Sequence, residues 1–166
     1  LLGKYLAKDM PMREARIYSL IERVDQNIGR MLSHLKTLGI ERETLVIFMS
    51  DNGGVSKFWK GGMRGNKGSV YEGGIRVAAA MRWPGAIPAG KKSSQLMSVM
   101  DLFPTLIEAA GIERGKAKPF DGRSVWPAIK DGKKVGRDGL VIASPQEIAV
   151  LRGRWKYIRS GRGDSQ

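Results

Sequence analysis

The sequence predicts an α/β fold with a mainly parallel sheet, followed by a small antiparallel α+β subdomain. Three observations predict it. Residues Arg13 to Leu38 carry apolar side chains at helical spacing. The run Leu45–Met49 is short and apolar, and Asp51-Asn52-Gly53-Gly54 closes it. Residues 140–159 hold three short strand-like runs, the last two separated by Arg152-Gly153-Arg154. Helix, short loop and buried strand make up the repeating unit of an α/β layer. Strands joined by a tight turn pair antiparallel instead. The expected division is 1–110 for the α/β portion and 111–166 for the start of the subdomain, expected to be incomplete.

The first helix is justified by Ile17, Leu20, Ile21, Val24, Ile28, Met31, Leu32, Leu35 and Leu38, which follow three-four spacing. Pro11 precedes it and Gly39 stops it. His34, the single histidine, falls off that stripe and reads as a solvated residue, and Asp25, among the polar positions of the helix, reads as structural. The strand Thr44–Met49 has the composition of one buried on both faces. Gly53 to Gly74 is a long, basic, glycine-rich loop, and loops of that length in a compact domain are commonly functional. Ile75–Trp83 is a second apolar stretch closed by Pro84-Gly85, and Gln95–Met100 predicts a further short strand. Asp101 is placed as N-cap of a helix over Leu102–Ala110, with Pro104 in its first turn. Polar, basic sequence then runs to Gly139, with a short helical piece near Val125–Ile129. Leu140–Ala143, Glu147–Leu151 and Trp155–Arg159 complete the chain as strands, with the tryptophan expected in the core.

Composition narrows the function classes. The 166 residues fit one domain, or one and a part. There is no cysteine, which excludes disulfides and thiolate chemistry. No apolar run approaches the length of a membrane span. The net charge of +13 attracts polyanions: nucleic acid, anionic lipid or sulfated glycan. That charge is spread, and an acidic remainder elsewhere in a longer polypeptide would balance it. Both ends, Leu1-Leu2-Gly3 and Gly163-Asp164-Ser165-Gln166, read as cut from something longer.

Two motifs carry chemistry. Asp51 and Asn52 follow the strand, where ligands bind in open α/β sheets. They offer two hard oxygen ligands for a cation, and the glycines let the backbone turn away. Asp-Asn-Gly-Gly is also a good turn former, and both readings stand on these residues alone. The second motif is Gly65-Asn66-Lys67-Gly68-Ser69-Val70-Tyr71-Glu72-Gly73-Gly74-Ile75-Arg76. A lysine between small residues can present its ammonium to an anion beside backbone N–H groups. The frame of a phosphate-binding P-loop is missing, which argues against a nucleotide. Lys67 follows Asp51 by 16 residues (67 − 51), so a cation and a lysine could share one anionic group.

At these residues the chain resembles the C-terminal half of a formylglycine-dependent sulfatase, of the alkaline-phosphatase-like superfamily. The likeness runs from about Tyr18 to Arg159. It takes in Ile28-Gly29-Arg30, Thr44–Phe48 with Ser50-Asp51-Asn52-Gly53-Gly54, and Lys67-Gly68 with Tyr71–Val77. It continues through Arg82-Trp83-Pro84-Gly85, Asp101–Leu106 and Gly153–Tyr157. The resemblance implies an alkaline-phosphatase-like sandwich and a parent that hydrolyses sulfate esters, with a sulfated glycan among the candidates. It implies that Asp51 and Asn52 bind a divalent cation, usually calcium, and that Lys67 contacts the sulfate and is catalytic. Arg64, Lys57, Trp59 and Lys60 are placed on the loop before Lys67, with Arg64 the candidate for contact to the rest of the substrate. Glu72 and Arg76 are expected to shape the loop through an ion pair or backbone bonds. The family's setting implies an extracytoplasmic location.

The departures matter as much. No Cys- or Ser-x-Pro-x-Arg motif is present, so the formylglycine nucleophile is expected in an absent N-terminal half, with an aspartate pair and histidines. Val77-Ala78-Ala79 stands where relatives often have proline. The chain alone is therefore expected to hydrolyse nothing. A phosphodiesterase or phosphonate hydrolase of the same superfamily is the first alternative. Such enzymes commonly pair Asp with His where this chain has Asn52, and an amide oxygen suits calcium better than zinc. A non-catalytic basic polyanion binder is the second, resting on Phe58-Trp59-Lys60 and Trp155-Lys156-Tyr157. No nucleic-acid motif accompanies those clusters, so no nucleic-acid partner is expected.

Overall fold

The computed structural model describes residues 1–55, 61–113, 115 and 118–161. Lys57, Phe58, Trp59 and Lys60 therefore lie outside the described residues. The chain divides into two compact units, Leu1–Trp83 and Pro84–Gln166.

The first unit opens with a short helix α1 (Leu2–Leu6) and the long helix α2 (Met12–Thr37). Pro11 sits at the N-cap of α2, and Gly39 leaves the helix at φ 71°, a conformation glycine adopts without steric cost. Helix α1 is tied to α2 by Glu22, which accepts from Lys4 Nζ at 2.8 Å and from the Tyr5 hydroxyl at 2.7 Å. The Tyr5 and Tyr18 rings stack beside this pair, 5.9 Å between centroids.

Strand β1 (Val46–Met49) pairs with β2 (Ala79–Arg82), and the four-residue helix α3 (Glu72–Ile75) lies between them in sequence. The pairing is antiparallel, Val46 opposite Arg82 and Met49 opposite Ala79. This corrects the mainly parallel sheet expected from the sequence. The second sheet is antiparallel too. The reason lies in the connection. A parallel pair needs a crossover that carries the chain back to the starting end of the first strand. Here the chain turns round beyond Met49, and Ser50 N–H bonds the Ala78 carbonyl at 3.1 Å as a further rung. Two side-chain bonds fasten the other end of this ladder. Arg82 Nη2 pairs with Glu41 at 3.0 Å, and Trp83 Nε1 donates to the Arg42 carbonyl at 2.6 Å.

In the second unit the expected strand at Gln95–Met100 is absent. Val99–Asp101 forms a 3-10 turn running into helix α4 (Leu102–Ala109). Asp101 does not cap α4 with its side chain. Its carboxylate is fully buried and accepts from Ser98 N–H at 2.8 Å and Arg123 N–H at 2.9 Å, and pairs with the Arg137 guanidinium. Thr105, one turn on, accepts from Val125 N–H at 3.0 Å. Together they hold the entry to α5 (Trp126–Lys130), where Val125, Trp126 and Ala128 are buried. Strands β3 (Leu140–Ala143), β4 (Glu147–Arg152) and β5 (Trp155–Ser160) form an antiparallel meander. Leu140 and Ala149 are buried, whereas Trp155 is 74% exposed, against the expectation of a core tryptophan.

Candidate functional site

The candidate residues lie on two loops at the end of the β1–β2 ladder. Asp51 to Gly54 continue from β1, and Arg64 to Ala78 lead back into β2. Backbone bonds clamp the two loops together. Gly53 N–H donates to the Gly74 carbonyl at 2.8 Å, and Lys67 N–H donates to the Gly54 carbonyl at 3.0 Å. Gly73 N–H reaches the Arg64 carbonyl at 2.7 Å, and Ser69 N–H the Asn66 carbonyl at 2.9 Å.

Glycine is required here for space. A Cβ on Gly53 would overlap the Gly73 carbonyl, one on Gly73 the Gly65 carbonyl, and one on Gly74 the carbonyls of Ser69 and Asn66. Gly65 is also at φ 85°, and a Cβ there would meet Ser69 Oγ and the Tyr71 Cβ. The glycine-rich composition therefore encodes close backbone approach. Val70 is fully buried within the same loop, which anchors it by an apolar side chain as well.

This clamp brings Asp51, Asn52 and Lys67 onto adjoining segments. Asp51 and Lys67 are exposed and Asn52 is half-buried. Asn52 Nδ2 donates to the Gly53 carbonyl at 3.0 Å, and Ser50 Oγ to the Asn52 carbonyl at 3.0 Å. That donation uses the amide N–H, which leaves the Asn52 side-chain oxygen as the atom suited to a cation. Two oxygen donors fit one side of a calcium sphere, which takes six to eight. Among the described residues, no group of three His, Cys, Asp or Glu could hold a metal ion. The donor chemistry fits, and the sphere needs ligands from elsewhere.

Arg64 lies over the Tyr71 ring, 4.1 Å from guanidinium carbon to centroid, and its carbonyl is held by Gly73. Sequence reasoning named Arg64 but missed Tyr71 as its support. Arg-x6-Tyr spacing carries no local signal, because the contact exists only once the loop closes. Glu72 and Arg76, the residue that follows α3, approach to 4.0 Å as an exposed ion pair, one of the two forms of contact expected for them.

The family model described as Sulfatase matches residues 13–112. The N-acetylgalactosamine-6-sulfatase of Canis lupus familiaris is 35% identical over 150 residues, spanning 87% of this chain and 29% of that protein. This chain thus covers less than a third of that relative's length. A Bacteroides thetaiotaomicron protein, solved in work on the metabolism of multiple glycosaminoglycans, superposes with TM-score 0.67 at 27% identity. That match covers 82% of this chain and 31% of the other. A protein solved with its substrate D-glucosamine-2-N,6-O-disulfate gives TM-score 0.66 at 25% identity, covering 86% and 30% of the two chains. No helix is long and apolar enough to cross a membrane among the described residues.

Proposed function

This chain belongs to the sulfatase family, and on that premise we propose that it is the C-terminal half of a sulfuric ester hydrolase, carrying one side of the sulfate site. The observation that supports this reading is the clamp. Two loops separated in sequence are bound to each other by backbone hydrogen bonds, which puts Asp51, Asn52 and Lys67 on adjoining segments beyond the end of the β1–β2 ladder.

In this reading Asp51 and Asn52 hold calcium, together with ligands from outside the chain. When bound, the ion supplies fixed positive charge for the sulfate oxygens. Lys67 places its ammonium against the same group. As the ester bond breaks, negative charge collects on the bridging oxygen, and a fixed cation stabilises it better than water does. Arg64, stiffened by Tyr71, contacts the substrate beyond the sulfate. The substrate is a sulfated glycan. Support comes from the name of the canine relative, from the doubly sulfated glucosamine bound by the solved neighbour, and from the basic charge of this chain. The setting is extracytoplasmic.

The test begins with the coding DNA upstream of Leu1. The expected finding is an in-frame Cys- or Ser-x-Pro-x-Arg. The encoded protein should release sulfate from a sulfated glycan, while the 166-residue chain shows no turnover above blank. A threonine or unmodified serine nucleophile with an Asp-His metal set would move the activity to phosphoryl transfer.

A further inference from the structure

Arg64 is exposed, yet both its ends are held. Its carbonyl accepts from Gly73 N–H at 2.7 Å. Its guanidinium lies over the Tyr71 ring, 4.1 Å from carbon to centroid. Tyr71 is half-buried, and Gly65 packs so closely on the Tyr71 Cβ that a Cβ on Gly65 would overlap it. A free surface arginine loses much rotamer entropy when it grips a ligand. Arg64 has lost part of that freedom before any ligand arrives. Stacking covers a face of the guanidinium plane and leaves the N–H donors, which lie in that plane, for a partner at its edge. The chain does not supply that partner. Arg76, Arg82 and Arg137 pair with Glu72, Glu41 and Asp101. Among the described residues no carboxylate pairs with Arg64 or with Lys67. Lys67 is second in the turn Asn66-Lys67-Gly68-Ser69, closed by Ser69 N–H on the Asn66 carbonyl, with Gly68 at φ 91°. Three residues separate Arg64 from Lys67, so their Cα atoms stand at most about 11 Å apart. Two like charges fixed at this range repel, and a ligand with two anionic groups relieves both.

We propose that Arg64 is a specificity-determining residue. While Lys67 takes the sulfate that is hydrolysed, Arg64 grips a second anionic group of the same substrate, a sulfate or a carboxylate on the same sugar or the next one. The inference rests on the sulfate-site reading of the preceding section and adds to it a demand for two anions. A guanidinium meets such an oxyanion through two parallel N–H···O bonds, a geometry that the point charge of a lysine does not reproduce. Tyr71 is the positioning residue, because its ring fixes the plane in which that fork lies. A sugar with one sulfate leaves the fork unfilled and binds more weakly.

The test measures dissociation constants on the complete encoded protein by ligand-observed NMR, with two matched pairs of sugars. N-acetylglucosamine 6-O-sulfate is compared with glucosamine 2-N,6-O-disulfate. N-acetylgalactosamine 6-O-sulfate linked to glucose is compared with the same sugar linked to glucuronic acid. The doubly anionic member of at least one pair should bind about tenfold more tightly, the scale of one charge-assisted hydrogen bond. The pair that responds identifies the second group as sulfate or as carboxylate. Arg64→Ala should collapse that ratio to about one, and Arg64→Lys should restore only part of it. Tyr71→Phe keeps the ring face and should hold the ratio, whereas Tyr71→Leu should lower it. A ratio near one in the unaltered protein overturns the inference and leaves the sulfate site standing. So does a ratio that survives Arg64→Ala, or one that Arg64→Lys keeps in full. Lys67→Ala should weaken both members of each pair alike. If it weakens neither, the sulfate-site reading falls and the inference falls with it, as it does if none of the four sugars binds.

Discussion

Gly53 N–H and the Gly74 carbonyl meet at 2.8 Å, and that bond joins the exit of β1 to helix α3, twenty-one residues later (74 − 53). The contact works because neither residue has a side chain. A Cβ on Gly53 would overlap the Gly73 carbonyl of the opposite loop, and one on Gly74 the Ser69 and Asn66 carbonyls of its own.

Gly53→Ala should therefore open the clamp. Overpacking against backbone costs about 1–3 kcal/mol. Urea unfolding of the chain should show a lowered midpoint, while Gly62→Ala, at φ 73° but with nothing near its Cβ, should cost less. Equal losses at both positions would mean that the two loops are not pressed together.

Lys67→Ala should separate stability from function. Its side chain is exposed, and its structural bond is made by the backbone N–H, which alanine keeps. Unfolding of the chain should be unchanged. In the complete enzyme, kcat/KM for a sulfate ester should fall about 100- to 1000-fold, the usual scale for removing a group that stabilises developing charge.

Asp101→Ala should be the most damaging single change in the second unit. It would leave the Arg137 guanidinium, 7% exposed, buried without its carboxylate, and strip Ser98 and Arg123 N–H of their acceptor. Breaking one side of a buried pair costs about 3–5 kcal/mol. Thermal unfolding reads the loss directly. The double change Asp101→Ala with Arg137→Met should recover part of it.

The α1–α2 contact should fail at both extremes of pH. Hydrogen bonds from Lys4 and Tyr5 hold Glu22 below the ordinary carboxylate range. Its contribution is present above the usual glutamate pKa of about 4.3 and is lost as pH falls through the lower folded value. The same contacts raise Lys4 and Tyr5. Their contributions are present below about pH 10 and are lost as pH climbs through the raised folded values. NMR shifts of α1 should move in both limits, and Glu22→Gln should flatten the acid limb.

Local grammar was legible where one segment decides the outcome. Apolar spacing, Pro11 and Gly39 located α2 within a residue at each end: expected Arg13–Leu38, observed Met12–Thr37. Arg152-Gly153-Arg154 marked the β4–β5 turn, and Gly153 lies there at φ 57°. What was hidden depends on partners remote in sequence. An apolar run such as Leu45–Met49 does not say which strand lies beside it or in which direction, so the sheet was misjudged. Asp101 does stand at the N-cap of α4 as expected, but its carboxylate serves Ser98, Arg123 and Arg137 rather than the first turn of that helix, and two of those donors are remote in sequence. Of the site, Asp51, Asn52 and Lys67 stood out by residue type. The bonds that bring their segments together are main-chain bonds, Gly53 to Gly74 and Lys67 to Gly54, which leave no mark on a sequence except the glycines.

The clamp also separates what can vary from what cannot. Lys67 is held by its backbone N–H on the Gly54 carbonyl, and Arg64 by its carbonyl on Gly73 N–H. Neither bond depends on a side chain, so the loop keeps its course whichever residue stands at those two positions. The chemistry at Lys67 can change without rebuilding the ground it stands on.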